Sequence, residues 1–309
     1  LTISATTLSG NGVTLTGGTT FALTGSGVTS TGAFAAAATS AAATLQSSSV
    51  SASGALGVTA GGALSVDATS LSGNGFTRCV STTWPWVTTS VTASGSLGVT
   101  AGDALEVVAT SLSGNGITLT GASGLVIDAG SSTSTGGFTA AATAGAATLQ
   151  STAISAAGAL GVTAGGALAI DATTLSGDGV TLTGATTFGI SGGGVTSTGA
   201  FTATATASGA TLQSTSVSAA DALGITAGGA LAIDATTLSG DGVTLSGGTT
   251  FALTGGGVTS TGTFAATATG GAARLDTTSV TAAGTLGVTA GAALEIVATP
   301  LSGNGITLT

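Results

Sequence analysis

The sequence predicts an all-β fold, a parallel β-helix (β-solenoid) built from coils of roughly 21 residues in 63-residue super-repeats. Three observations predict it: a fixed long period, apolar residues at every second place within short runs, and glycine-rich steps between those runs.

The period comes first. The motif L-S-G-[ND]-G recurs with its Asn or Asp at Asn11, Asn74, Asn115, Asp178, Asp241 and Asn304, at gaps of 63, 41, 63, 63 and 63. A second tag, G-[VI]-T-A-G, places its alanine at Ala60, Ala101, Ala164, Ala227 and Ala290, at gaps of 41, 63, 63 and 63. Two independent markers agree on the unit and on one shortened copy. The unit then subdivides. Leu168 and Ile170 match Phe188 and Ile190, then Ala210 and Leu212, then Leu231 and Ile233, at spacings of 20, 22 and 21. Leu175, Val195 and Val217 form a second matching column.

Alternation supplies the strands. In Leu168-Ala-Ile170 and in Val180-Thr-Leu182-Thr183, apolar residues take every second place, which directs them inward and threonine outward. Steps such as Ser176-Gly-Asp-Gly179 supply tight corners, with Asn or Asp in a turn that tolerates left-handed dihedrals. Helix is disfavoured by the glycine frequency, the β-branched content and the lack of a 3.6-residue period. Coils stacked in register pair their backbones at roughly 4.8 Å per step. Phe34, Phe138, Phe201 and Phe264 occupy one equivalent place, an aromatic column of core packing spaced three coils apart.

Composition excludes several classes. Only 4% of the 309 residues are charged, with 11 acids against Arg78 and Arg274 and a net charge of −9. Two isolated arginines cannot neutralise a phosphate backbone, which sets nucleic acid aside. No apolar run approaches the ~18 residues of a membrane-spanning helix, and two tryptophans with no tyrosine make poor barrel girdles. Disorder is opposed by a hydrophobic fraction of 42% and a mean hydropathy of +0.66. The lone Cys79 excludes an intramolecular disulfide framework. The chain opens and stops in mid-repeat with no cap-like sequence at Leu1-Thr-Ile3 or Ile306–Thr309. This predicts a segment of a longer protein, or head-to-tail stacking of open ends.

The string G-A-L-G-V-T-A-G-G-A-L-A-I-D-A-T-T-L-S-G-D-G-V-T-L-T at 158–183 resembles the haemagglutinin repeats of filamentous haemagglutinin-like adhesins. Similar repeats build the stalks of contact-dependent inhibition proteins. The resemblance covers nearly the whole chain apart from about residues 78–89. It implies a right-handed parallel β-helix, secreted by a Gram-negative bacterium and displayed at the cell surface.

Little chemistry is on offer. Equivalent acids, such as Asp171 and Asp234, lie three coils apart, about 14 Å at the strand spacing. Polysaccharide-cleaving sites need clustered carboxylates, and there is no histidine for general-base work. The pairs Asp171 with Asp178 and Asp234 with Asp241 share a coil but stand on different sides of a corner. No enzyme activity, metal site or cofactor is expected, since a calcium repeat puts an acid in every turn and zinc needs more than one Cys. Gln46, Gln150 and Gln213, replaced by Asp276 in the last unit, read as corner or surface hydrogen-bonders. Outward threonines, as in Phe201-Thr-Ala-Thr-Ala-Thr206, suggest an ice-binding face, but 34–39 reads FAAAAT and 138–143 reads FTAAAT, so that array is broken.

One segment breaks the pattern. Residues 78–89, RCVSTTWPWVTT, hold the only Cys and both Trp, and stand where other units carry 22 residues more, one coil's worth. Three readings stand side by side: a grafted loop exposing Trp84 and Trp86 as partner-binding anchors, a deletion or frame-shift junction, or tryptophans plugging the core. The whole chain therefore reads as one β-solenoid rod over 1–309 with an irregular insert. Its expected role is a structural extracellular fibre or adhesin stalk, with itself and a host or cell-surface receptor as expected partners. The alternative role is a binding module, through an ice-binding threonine face or a receptor site at Trp84 and Trp86.

Overall fold

The alternation in the sequence becomes the geometry of each coil. In the coil 168–184, Leu168, Ile170, Leu175, Val180 and Leu182 point inward and are buried, while Ala169, Asp171 and Thr181 point outward. Three short strands carry them: Leu168–Asp171 on a first face, Thr174–Gly177 on a second and Val180–Gly184 on a third. The computed structural model describes residues 1–80, 84–150, 152–171, 173–213, 215–234, 236–276, 279–297 and 299–309. Among these residues every regular element is a strand, all pairing is parallel, and no helix is long and apolar enough to cross a membrane.

The chain folds as a β-solenoid with coils about 21 residues apart, in two compact units. One unit comprises Leu1–Gly145 with Leu149–Gly158, the other Ala146–Thr148 with Ala159–Thr309. In the first, the first and second faces run through as one long strand, as in Phe21–Ser30 and Ala43–Ala52. In the second, the same stretch is broken at a corner into two four-residue strands, as in Phe251–Thr254 and Gly257–Ser260. The registers reproduce the spacings of the sequence. Leu168 stands against Phe188, Phe188 against Ala210, and Ala210 against Leu231, which are steps of 20, 22 and 21 residues.

Small aliphatic side chains fill the interior, and each fully buried Leu, Ile or Val stabilises by roughly 1.5–3 kcal/mol. The expected phenylalanine column lies on the third face, where Phe138, Phe201 and Phe264 are almost wholly enclosed. A second set, unforeseen, sits on the first face of the same coil type: Phe21, Phe188 and Phe251. Each is followed in register by alanine (Ala43, Ala210, Ala273), so a wide coil is seated on a narrow one.

The only buried polar side chains among the described residues are hydroxyls. Four of them, Ser30, Ser134, Ser197 and Ser260, recur once per full super-repeat at the corner between the second and third faces. The Ser197 hydroxyl donates to the Ala200 carbonyl at 2.9 Å and accepts from the Gly179 N–H of the preceding coil at 3.2 Å. Ser260 does the same with Thr263 and Gly242, at 2.8 and 3.1 Å. That N–H needs a partner because the turn before it is the left-handed one, with φ from +79° at Gly12 to +101° at Gly305 on the glycine after the Asn or Asp. The corner position therefore cycles in size: Gly177, Ser197 and Ala219 stand in register.

Ser132 breaks this economy. It takes the inward place that Val28, Val195 and Val258 fill in the equivalent coils, is fully buried, and its hydroxyl has no hydrogen-bond partner. Orphaning a buried hydroxyl costs about 1–3 kcal/mol. Ser132→Val is expected to raise stability by an amount in that range, read as a higher urea midpoint. An unchanged or lower midpoint would mean the cavity is too small for valine.

Candidate interaction surfaces

Outward residues stack into columns, one residue per coil, and the three faces differ in what they present. Acids are confined to the first face and the corners. Seven of the 11 lie in first-face strands (Asp67, Glu106, Asp128, Asp171, Asp234, Asp276, Glu295) and four between strands (Asp103, Asp178, Asp221, Asp241).

On the first face of the second unit, Asp171, Ser191, Gln213, Asp234, Thr254 and Asp276 follow one another in register. Ser191 donates to Asp171 Oδ1 at 2.6 Å and Thr254 to Asp234 Oδ1 at 2.9 Å. Gln213 is thus one rung of a mixed polar column, as is Gln46 between Thr24 and Asp67 in the first unit. Arg274 bridges Asp276 at 2.9 Å and Glu295 at 2.6 Å. Its hydrogen bonds, first to Asp276 and then to Glu295, hold the guanidinium above its ordinary value. The bridges are solvent-exposed and contribute little to stability. Beside this column the outward residues are small, and Ala169, Gly189 and Thr211 leave a shallow trough of about 160 Å³ rimmed by Asp171, Ser191 and Gln213.

The acid pairs noted in the sequence do not converge. Asp171 accepts from Ser191 at the end of the first face, whereas Asp178 lies beyond the second-face strand and accepts from Thr198 at 3.4 Å. Asp241 and Thr261 repeat that contact at 3.1 Å, and Asn74 accepts from Ser94 at 3.2 Å. The Asn or Asp of the turn therefore ties its coil to the next through a hydroxyl. Among the described residues no three acids or thiols gather as a metal site would require.

The second face carries one continuous hydroxyl column beside another that Gly27, Ala153, Gly194 and Gly257 interrupt. In the first unit, Ser9, Thr29, Ser51, Ser72, Thr92, Ser113, Thr133 and Ser155 form one column. In the second unit, Ser176, Thr196, Ser218, Ser239, Thr259, Thr281 and Ser302 form its counterpart. Among the described residues no coil interrupts either column, and no charged residue stands in a second-face strand.

The third face is mixed. In the second unit, Thr163, Thr183, Thr204, Thr226, Ser246, Thr267 and Thr289 are continuous, but the neighbouring column is broken by Gly161, Gly224, Ala265 and Gly287. In the first unit, Ala37, Cys79 and Ala141 interrupt the column of Thr16, Thr59 and Thr120. The breaks visible in FAAAAT and FTAAAT thus have counterparts in the second unit, in the column beside its continuous one.

Trp84 and Trp86 lie in the first-face part of the strand Trp84–Ala93, where their backbones stand in register with Leu105 and Val107. Their side chains, together with residues 81–83, lie outside the described residues. The strand Phe76–Val80 just before them pairs on both sides, Phe76 standing between Leu56 and Leu97. No protein-family model matches this chain, and no curated protein or solved structure does either.

Proposed function

We propose that the chain is a stretch of an extracellular structural fibre, a non-catalytic stalk of the adhesin type on a bacterial surface, that associates with copies of itself. The observation that carries this reading is the continuity of register within each unit, where coil follows coil with one geometry and hydroxyl columns run along the outside. Such a surface favours a part that spans distance over one that binds a small molecule in a formed pocket. The resemblance of 158–183 to haemagglutinin repeats supports the surface-displayed setting.

Negative-stain microscopy with sedimentation velocity tests it. Filaments or bundles whose amount rises with concentration are expected. A species that sediments only as a compact monomer at every concentration would remove the reading. The hydroxyl column of the second unit from Thr163 to Thr289, threonine except at Ser246, favours an ice-binding face as the second reading. Thermal hysteresis in the absence of any filament would exchange the two.

A further inference from the structure

We infer that Asn74 is a site of self-modification, its side-chain amide being lost through a cyclic imide faster than the amides of Asn11 and Asn115. This chemistry belongs to one turn and is independent of the fibre reading. All four asparagines of the chain, Asn11, Asn74, Asn115 and Asn304, sit in the same pentapeptide L-S-G-N-G. Asparagine before glycine is a labile pair, because a residue without Cβ leaves its nitrogen free to attack the preceding side chain. A shared local sequence gives the asparagines one intrinsic rate, so differences between them come from the fold. Asn11, Asn74 and Asn115 all belong to the first unit, are exposed, and each have a coil stacked after them.

The attacking atom is the glycine nitrogen, which must give up its proton. The Gly12 N–H donates to Ser30 Oγ at 3.2 Å and the Gly116 N–H to Ser134 Oγ at 3.0 Å. Each bond holds the proton in place, and the peptide plane with it. Gly75 has the same left-handed backbone, with φ of +87° beside +79° at Gly12 and +89° at Gly116. Yet Ala93 stands against Gly73, where Ser30 stands against Gly10 and Ser134 against Gly114. Among the described residues no hydroxyl meets the Gly75 N–H, because the coil that would carry the serine is the one omitted. Two further features act in the same direction. The atom under attack is Asn74 Cγ, and Asn74 Oδ1 accepts from Ser94 Oγ at 3.2 Å, which draws electrons from that carbon. The following coil also stands further off. An added Cβ on Gly95 would lie 3.3 Å from both Asn74 Oδ1 and Gly75 N, against 2.9 Å for the corresponding atoms at Gly32 and 3.0 and 3.1 Å at Gly136.

Water is the only co-reactant. Hydroxide takes the Gly75 N–H proton, and a bond forms from that nitrogen to Asn74 Cγ. The bond from Cγ to Nδ2 breaks, and Nδ2 leaves as ammonia with a proton returned from water. Water then opens the imide ring. Cleavage at Cγ gives aspartate and restores the Gly75 N–H, whereas cleavage at the main-chain carbonyl gives isoaspartate. Aspartate fits, since Asp178 and Asp241 hold the same turn in the second unit. Isoaspartate lengthens the main chain between the Asn74 N–H, which donates to the Gly54 carbonyl, and the Gly75 carbonyl, which accepts from the Leu56 N–H, both at 2.9 Å. The two bonds can then no longer form together, and the tie to the preceding coil is weakened.

Timed incubation of the intact chain at mildly alkaline pH, followed by peptide mass spectrometry, reads the conversion of amide to acid at each asparagine. Asn74 is expected to convert about fivefold faster than Asn11 and Asn115, the rate ratio that one hydrogen bond of ordinary strength commands. In denaturing urea the rates should become nearly equal. Ala93→Ser returns the missing hydroxyl and is expected to slow Asn74 by a similar factor. Ser30→Ala removes a present one and should speed Asn11 as much. Circular dichroism checks that each variant keeps its strand signal. Equal rates in the folded wild type, a ratio that persists in urea, or an Asn74 rate untouched by Ala93→Ser would overturn the inference. Should Ala93→Ser lose the strand signal, an Asn11 rate unmoved by Ser30→Ala overturns it instead.

Discussion

Phe201→Ala is expected to lower stability by about 3–5 kcal/mol, the range for removing a fully enclosed aromatic ring. Collapse around the gap is blocked from two directions. Val180 and Leu223 stand directly above and below in register, held by parallel ladders that fix the distance between coils. The remaining inward residues on the same strand are Ala203 and Ala205, too small to reach across. The measurement is a urea titration followed by circular dichroism, with Phe201→Leu as the comparison. Leucine already occupies this column at Leu223, so it should lose less. A Phe201→Ala midpoint equal to that of Phe201→Leu would show that the interior rearranges freely, against the packing described.

Gly193→Ala and Gly179→Ala form the second test, and they are expected to differ sharply. Both glycines have left-handed backbones, with φ of +68° and +80°. At Gly179 an added Cβ meets nothing within 4 Å, so the cost is the left-handed penalty alone, about 1–2 kcal/mol. At Gly193 an added Cβ would overlap the Thr173 carbonyl oxygen of the preceding coil. That oxygen also accepts from the Gly194 N–H at 3.2 Å, so it cannot retreat without breaking the coil-to-coil contact. The loss there should exceed about 4 kcal/mol, in the range reserved for backbone disruption. Gly256 over Thr236 repeats the situation and should behave as Gly193 does. Equal, small midpoint shifts for Gly179→Ala and Gly193→Ala would contradict the close approach.

Much of the fold was legible because a solenoid repeats its constraints. The step lengths between Leu168, Phe188, Ala210 and Leu231 could be counted from the sequence, and strand pairing obeys them. Inward and outward were legible too, since the strand period is two residues. Three things were not. Phe188 and Phe251 share their column with Leu168, Leu231 and Ala210, so no repeated letter marked them as a second aromatic set. Ser197 falls inward by alternation from Val195, but its pairing with the Gly179 N–H of the preceding coil left no mark in the sequence. The division of outward residues among three faces was also hidden. Ser176 and Thr183 both alternate outward, and it takes the turn at Asp178 and Gly179 to place them on different sides. The contrast between a hydroxyl face and an acidic one emerged only with that turn.

The stretch that omits a coil shows what this architecture permits over evolutionary time. Gly73 stands directly against Ala93, where Gly177 meets Ser197 and Gly10 meets Ser30 in full copies. The serine-bearing turn is absent, yet pairing passes from Leu56 through Phe76 to Leu97 without a slip. Genes encoding such arrays can therefore shrink or expand by whole turns through unequal recombination, while a gain or loss of one residue is absorbed only at a corner, as the steps of 20, 22 and 21 residues show, and inside a strand would reverse inward and outward there. Reach is thereby adjustable in fixed increments of one strand spacing, like links removed from a watch strap.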